Sequence, residues 1–598
     1  MIHEYQSSLS TEDSYPLILV CILARNAAPI LPYFLGQFEE QDYPKSRLAL
    51  YVRSDHNSDN TSELLGRWLE AVTPLYHSVD AELEPLDALN AAYPGELGPF
   101  DWTEERYRQI IRLKEGALNV SRDIAADYLL MLDTDALLTN TQTLRILIAW
   151  KKPIIAPVLQ TIYTNYSSFW PGVDSMGYFR HTPDYIPILW RQSVGCHHVA
   201  LVHTAVLIDM QDGRSRNLTF DPAQLGDSYK LAIDDLLAFG ESTDAAGMEM
   251  YAVNTARFGY LMHPEQPTAG WLDFEETVKD FLCENMKDNL MPFLHSPAVP
   301  PDFMPKDRLG MDQIYMINLE RRPWRRQRME KLFDIYGLDV THWPATDGQL
   351  LNETTLLNQG VRLLPSYRDP YWNRPLKLGE IGCFLSHYRI WADVVEKKHE
   401  LVMVLEDDIR FAKYFRYKVV LLMDQLRKSG LASDWDLIFL GRKWMGWKYG
   451  QEREKVETMV KGNRYLSTVG YSYWTVGYLL SNRGASKLLA AKPLDKLIAL
   501  DEFLPIMYGQ HWKQDWINAI NPPALLSAYA TYPSFVEPSH YTHEQGYITD
   551  TESSTEVQVE RFLGQLERPD AQAPQGPPVV QGDDSVLRTA TTEAKLEL

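Results

Sequence analysis

The sequence predicts an α/β protein of two similar units in tandem, followed by a polar tail. Three observations carry this expectation. Short apolar runs alternate with segments of helical spacing along most of the 598 residues. The alternation stops at a stretch with five prolines, residues 288–310 (DNLMPFLHSPAVPPDFMPKDRLG), and then restarts. In each half one apolar run ends in carboxylates: LLMLDTDAL at 129–137 and MVLEDDIRF at 403–411.

The elements follow in order. PLILVCILA (16–24) reads as a buried strand bounded by Pro and RNAAP, and LALYVRSDHNSDN (48–60) as a second strand ending in a polar loop. TSELLGRWLEAVT (61–73) has helical spacing, DYLLMLDTDALL is a third strand, and KPIIAPVL (152–159) a fourth. Strands alternating with helices point to a parallel sheet. After the Pro-rich stretch, QIYMINLERRPWRRQRMEKLF (313–333) reads as strand, basic loop and helix. LGEIGCFLSHYRIW (378–391) reads as a helix, and ELVMVLEDDIRF, WDLIFLGRK (435–443) and YWTVGYLLS (473–481) as strands. The units are expected at 14–290 and 312–552, with a linker at 291–311. Residues 553–598, rich in Pro, Gln, Gly, Asp and Thr, are expected to be mostly disordered.

The bulk properties narrow the class. A chain this long exceeds one core, and 45% apolar residues supply ample material for two. The net charge of −22 argues against nucleic acid, whose phosphates need a basic surface. The four cysteines (Cys21, Cys196, Cys283, Cys383) form no CxxC pair and are expected to pack as small hydrophobes. No apolar run approaches the roughly 20 residues that span a bilayer, and MIHEYQSSLSTEDSYPL carries no signal-peptide pattern. The ending KLEL (Lys595–Leu598) differs by one residue from the ER-retention signal K-D-E-L. Five N-x-S/T sequons, at Asn60, Asn119, Asn165, Asn217 and Asn352, accompany it, so an ER-lumen protein is expected.

Ligands of open α/β sheets bind beyond the carboxyl ends of the strands, where both acidic groups fall. Adjacent carboxylates repel, and oxygen ligands in this pattern suit Mg²⁺ or Mn²⁺ together with a diphosphate. Glu406, Asp407 and Asp408 are therefore metal candidates in the second unit, and Asp133 and Asp135 in the first. Of the five arginines in NLERRPWRRQR, Arg321 and Arg322 lie nearest the strand end and are the better phosphate candidates. Ser386 and His387 sit in a helix with an apolar face, where a histidine is more often part of the core. Asp501 and Glu502 in LDEFLP read as a helix start favouring acids, or as the source of a general base.

IYMINLERRPWRRQRM, ATDG (345–348), LGEIGCFLSHYRIW, VLEDD and LDEFLP, in this order over 312–550, resemble glycosyltransferase family 25. PSYRDPYWNRPL (365–376), YSYWTVGYLLS, YPSFVEPSHYTHEQGYITDTESS and the N-terminal YSSFWPGVDSMGYFRHTPDYIPI are similar to its collagen-modifying animal members. The resemblance implies two GT-A-like nucleotide-diphosphosugar domains. It implies transfer of galactose from UDP-galactose to hydroxylysine of collagen chains, inverting to a β-linkage by single displacement with one carboxylate base. Mn²⁺ (or Mg²⁺) is the implied metal, on Glu406, Asp407 and Asp408 with Asp133 and Asp135 as counterpart. Asn318, Arg321, Arg322, Asp347, Ser386 and His387 are implied at the donor, with Asp55 at the nucleoside position and Asp501 or Glu502 as base. The acceptor is expected to be a single collagen chain, because a triple helix hides much of its surface. A homodimer is left open. Two other readings stand beside this one: catalysis or a second transfer step in the first unit, and a non-catalytic ER or adhesion protein with a dead transferase fold.

Overall fold

In the computed structural model the described residues are 14–86, 91–98, 101–161, 164–262, 271–287, 293–365, 367–429, 434–445, 457–542, 544–551 and 553–557. The KLEL ending and nearly all of the expected tail lie outside them, as do residues 1–13.

Two mixed sheets organise the chain, as two tandem α/β units. The first has eight strands, in the spatial order Cys196–Val199, Met250–Val253, Ile154–Pro157, Ala205–Asp209, Tyr128–Asp133, Ile18–Ala24, Leu48–Ser54, Ser78–Leu83. The second has seven: Thr341–Pro344, Gln313–Asn318, Leu401–Glu406, Ser472–Ser481, Leu437–Trp444, Ala528–Thr531, Leu466–Thr468. The centres of the two sheets repeat one arrangement. The acid-bearing strand runs parallel to the opening strand on one side, with Leu23 opposite Asp133 and Ile317 opposite Glu406. On its other side it pairs with an antiparallel strand, Ala205–Asp209 or Ser472–Ser481. Just past the acids the chain enters a short ribbon, Ala136–Leu137 with Tyr260–Leu261 and Ile409–Phe411 with Val536–Pro538.

The sequence reading expected parallel sheets, and these antiparallel neighbours correct it. Apolar runs such as AVLID and TVGYLLS report burial on both faces, and burial does not encode direction. The reading also passed over the edge strand Ser78–Leu83, whose polar and charged residues are half or fully exposed because only one side pairs. The helix Glu104–Asp123 was likewise unread. Thr103 caps it by accepting the Arg106 N–H, with Glu104 and Glu105 in its first turn.

Segment 293–311 holds no helix and buries Phe293 and Val299. Helix Trp271–Asn285 ties the halves together. Phe281, Leu282 and Met286 share one apolar cluster with Tyr336, Phe411 and Phe415, and Glu276 accepts from the Tyr414 N–H at 2.8 Å. Residues 553–557 pack on the second unit: Val557 is buried and its N–H donates to the Leu376 carbonyl. Cys21 and Cys283 are buried as expected. Cys196 and Cys383 are only half-buried, and Cys383 faces ionisable groups. Among the described residues no helix is long and apolar enough to cross a membrane. All five sequon asparagines are exposed.

Candidate active site

The second unit gathers most of the sequence-derived residues at one sheet edge. Glu406 ends its strand, and Asp407 and Asp408 follow in the turn. Their environments differ. Asp407 is buried and held by the Asn318 amide at 2.6 Å and Arg325 Nη1 at 3.0 Å. Asp408 meets the same Nη1 at 3.3 Å and keeps a side chain 38% exposed. Glu406 accepts from the Thr475 hydroxyl at 2.6 Å and lies 3.7 Å from His387 Nε2. Burial pushes the Asp408 carboxyl up to about 7. Arg325 opposes this rise, and the neighbouring Glu406 and Asp407 add to it. Burial also raises Asp407, against Arg325 and Asn318. Glu406 goes the other way, because His387, Thr475 and Arg325 outweigh its burial.

The structure places Arg325 and Arg328, rather than Arg321 and Arg322, against these acids. Helix Pro323–Ile335 starts right after the strand loop, so positions three apart on its inner face point toward the sheet edge. Arg321 instead bonds Asp347 and Asp550, and Arg322 bonds Asp550. A pocket opens beside Asp407 and Asp408, lined also by Lys287, Trp324, Arg325 and Arg328. Nε of Arg325, Nε of Arg328 and Oγ of Ser539 are buried with no hydrogen-bond partner among the described residues. Hard carboxylate oxygens beside arginine N–H donors still without a partner fit a divalent cation together with a diphosphate. Lys287 lies in no motif; Trp324 and Arg328 lie within IYMINLERRPWRRQRM, and helix phase singles out Arg328 among its arginines.

Ser386 and His387 lie on helix Leu378–Glu396. Ser386 is buried: its hydroxyl donates to the Gly382 carbonyl and accepts from the Thr346 N–H, fastening the ATDG loop. Gly382 allows that approach, since a Cβ there would stand 2.4 Å from the Thr346 carbonyl oxygen. Trp391 Nε1 donates to the Tyr478 hydroxyl, which shares a 2.9 Å hydrogen bond with His387 Nδ1. The other ring nitrogen, Nε2, faces Glu406. Cys383, His387 and Glu406 each bring one atom within 4.8 Å of the others.

Asp501 and Glu502 open helix Leu500–Met507 and part ways at once. Glu502, 2% exposed, accepts from Tyr471 Oη at 2.8 Å, Tyr473 Oη and His511 Nε2 at 2.8 Å. Asp501 is half-buried and takes the backbone N–H of Trp474. Trp474 has φ +71°, a costly conformation for a bulky side chain. Burial raises the Asp501 carboxyl to about 7. The Trp474 N–H opposes the rise, and Glu406, Glu502 and Glu380 reinforce it.

The first unit brings Asp133 and Asp135 together at its own sheet edge, with Asp55 at the end of a parallel strand two places over. Asp55 is engaged by Gln109 at 2.5 Å and by Tyr93 and His56 at 3.1 Å. The sequence reading missed a further pair, Asp234–Asp235, at the start of helix Asp235–Ala246. The resemblance of IDDLLAF to LDEFLPI was its one signal. Asp234 caps the helix through the Leu236 and Leu237 N–H groups. Asp235 holds Lys114 at 2.5 Å. Burial lowers the pKa of Lys114, but Asp235 and Asp133 outweigh it and raise the pKa overall. Burial, then Asp133, pushes Asp135 well up. A lysine of the chain's own thus stands among the first unit's acids.

Comparison with known proteins finds two family models along the chain. Residues 15–282 match the family model "Glycosyltransferase family 25, N-terminal domain", and residues 311–504 match "Glycosyltransferase family 25 (LPS biosynthesis protein)". The chain belongs to glycosyltransferase family 25, and is an enzyme of that class. It is 42% identical over 570 residues to a glycosyltransferase 25 family member of Drosophila melanogaster, covering 92% of this chain and 90% of that one. It is 41% identical over 545 residues to human procollagen galactosyltransferase 2, covering 90% and 84%. A mannosyltransferase of Pyrobaculum calidifontis, solved with GDP-Man and Mn²⁺, aligns at 13% identity over 47% of this chain and 66% of that one, with a TM-score of 0.26.

Proposed function

We propose that this protein transfers galactose from UDP-galactose to the hydroxyl of hydroxylysine in collagen chains, with inversion, in its second unit. The procollagen galactosyltransferases among its relatives support the substrate pair. One observation carries the site: of the two adjacent acids, Glu502 is saturated by three donors while Asp501 keeps an available carboxyl near the acid cluster. A base with a pKa of about 7 is well matched to removing a hydroxyl proton at neutral pH.

In this mechanism Asp501 takes the proton as the acceptor oxygen attacks the sugar C1, and UDP departs from the opposite face. Arg325, Arg328 and Lys287 face the diphosphate, and Trp324 closes the pocket beside it. Glu406, Asp407 and Asp408 would hold Mn²⁺ or Mg²⁺, which when bound offsets the charge gathering on the leaving diphosphate. Asn318 and His387 orient Asp407 and Glu406. Arg321, Arg322, Asp347 and Ser386 brace the surrounding loops. The first unit serves as scaffold: its acids are compensated by Lys114, and its helix-start acids are already engaged. Residence in the ER lumen is part of the same reading, supported by the exposed sequons.

The test is galactose transfer to a hydroxylysine peptide, with Mn²⁺ and with chelator, in wild type, Asp501→Asn and Asp135→Ala. Loss in Asp501→Asn alone is expected. Loss in Asp135→Ala as well would give the first unit a working role, and no transfer by folded wild type would remove the reading.

A further inference from the structure

A strip of aromatic side chains leads away from Asp501. It begins at Tyr473, the neighbour in sequence of the Trp474 whose N–H bonds Asp501. Tyr473 packs edge-on against Tyr371 with ring centroids 5.5 Å apart, and Tyr471 packs against Tyr473 at 5.6 Å. His511 meets Tyr471 at 5.5 Å, and Trp512 stacks on His511 at 5.9 Å. The inner members are pinned by the Glu502 carboxylate. The outer ones face solvent: Trp372 is 74% exposed, and Tyr371 and Trp512 are also exposed.

These outer rings stand on a built turn. Asp369 Oδ1 accepts from the N–H groups of both Tyr371 and Trp372, at 2.9 and 2.8 Å. Arg374 closes the turn, forking onto Glu380 at 2.9 and 3.0 Å in the first turn of helix Leu378–Glu396. A large apolar ring presented to water by a fixed backbone marks an interaction surface rather than incomplete packing.

We infer that this strip receives the acceptor polypeptide as an extended, proline-rich chain. The inference rests on the reading of the protein as a transferase acting on collagen chains. The acceptor hydroxyl must reach Asp501, so the chain bearing it has to pass over the surface around Asp501, and the strip is continuous with that point. A polyproline II chain has three residues per turn, no internal hydrogen bonds and flat pyrrolidine faces turned outward. Rows of exposed Tyr and Trp take such faces ring to ring. The chain is already extended and the strip already held, so little order is lost on contact. A closed triple helix could not lay one strand along the strip.

The test uses two hydroxylysine peptides of equal length, one with Gly-Pro-rich flanks and one with every proline replaced by alanine. Galactose transfer, and peptide binding by calorimetry without donor, are measured for wild type, Trp372→Ala, Trp372→Phe and Trp512→Ala, each checked for folding by circular dichroism. Wild type is expected to favour the proline-rich peptide by about tenfold, the scale of an aromatic anchor. Both alanine variants should bring that preference close to unity through KM, and Trp372→Phe should keep most of it. An unchanged preference in the alanine variants overturns the inference. So does a KM rise for UDP-galactose in place of the peptide, or tighter binding of a triple-helical peptide. If wild type binds the proline-rich peptide through Trp372 yet moves no galactose, the strip stands and the transferase reading falls. If it neither binds nor transfers, both fall.

Discussion

Arg325 Nη1 lies 3.0 Å from Asp407 Oδ1 and 3.3 Å from Asp408 Oδ2, so one guanidinium serves two adjacent carboxylates. The sharing is uneven. Asp407 has a second donor in Asn318 and is buried, whereas among the described residues Asp408 has the guanidinium alone and is partly open to the pocket.

The two acids should therefore respond differently to neutralisation. Asp407→Asn is expected to lower thermal stability, because Arg325 is left with a weaker partner in a buried site, at about 1–3 kcal/mol. Asp408→Asn is expected to leave stability level or raised above pH 7. Its carboxyl is held up to about 7 in the folded state. Ionisation is thus harder in the folded than in the unfolded chain, and stability declines as pH rises from the ordinary carboxylate value, 3.8, to about 7. Thermal unfolding at pH 5 and pH 8 measures this, and Mn²⁺ calorimetry on the same variants should show lost binding in Asp408→Asn.

Asp501→Asn is expected to reduce kcat by about 10²–10⁴-fold, the worth of a general base. Glu502→Gln should retain far more turnover while unfolding at lower temperature, since an amide cannot accept from all three of its donors. The base acts only when ionised, and its carboxyl titrates at about 7. Hence kcat/KM should fall as pH drops below about 7, and a flat profile down to pH 5 would remove Asp501 from the role.

In the first unit, Lys114→Met strips the compensation from Asp133 and Asp235. Breaking one partner from a buried pair costs about 3–5 kcal/mol, to be read as a drop in the denaturation midpoint. Transfer per folded molecule should persist, because the chemistry lies in the other sheet.

Ser386→Ala should cost about 1 kcal/mol through the lost tie between helix and ATDG loop, with the KM for UDP-galactose unchanged. A selective rise in that KM would return Ser386 to the donor site.

The tandem architecture and the acid-tipped strands were legible because they are written locally. An apolar run, a change of period and a following carboxylate all lie within a dozen residues of one another. The ligand edge followed from the general rule for α/β sheets. Strand direction was not legible, since TVGYLLS is apolar whichever way it runs. The edge strand SVDAEL hid because its exposed face carries polar residues.

By itself, then, the sequence determined two α/β units, a strand ending in Glu406, Asp407 and Asp408, another ending at Asp133, and a helix opening at Asp501 and Glu502. Only the tertiary structure decided what each of those acids can do. Glu502 is occupied because Tyr471, Tyr473 and His511 fold onto it from another strand and a later loop, while Asp501 meets one backbone N–H. Arg325 reaches the acids because helix phase turns it inward, and Lys114 fills the first unit's acidic edge from the helix that precedes the acid-bearing strand. A carboxylate's pKa and availability are set by burial and by charges a few ångströms off. Residues distant in the chain supply those charges, so their effect exists only once the fold has brought them together.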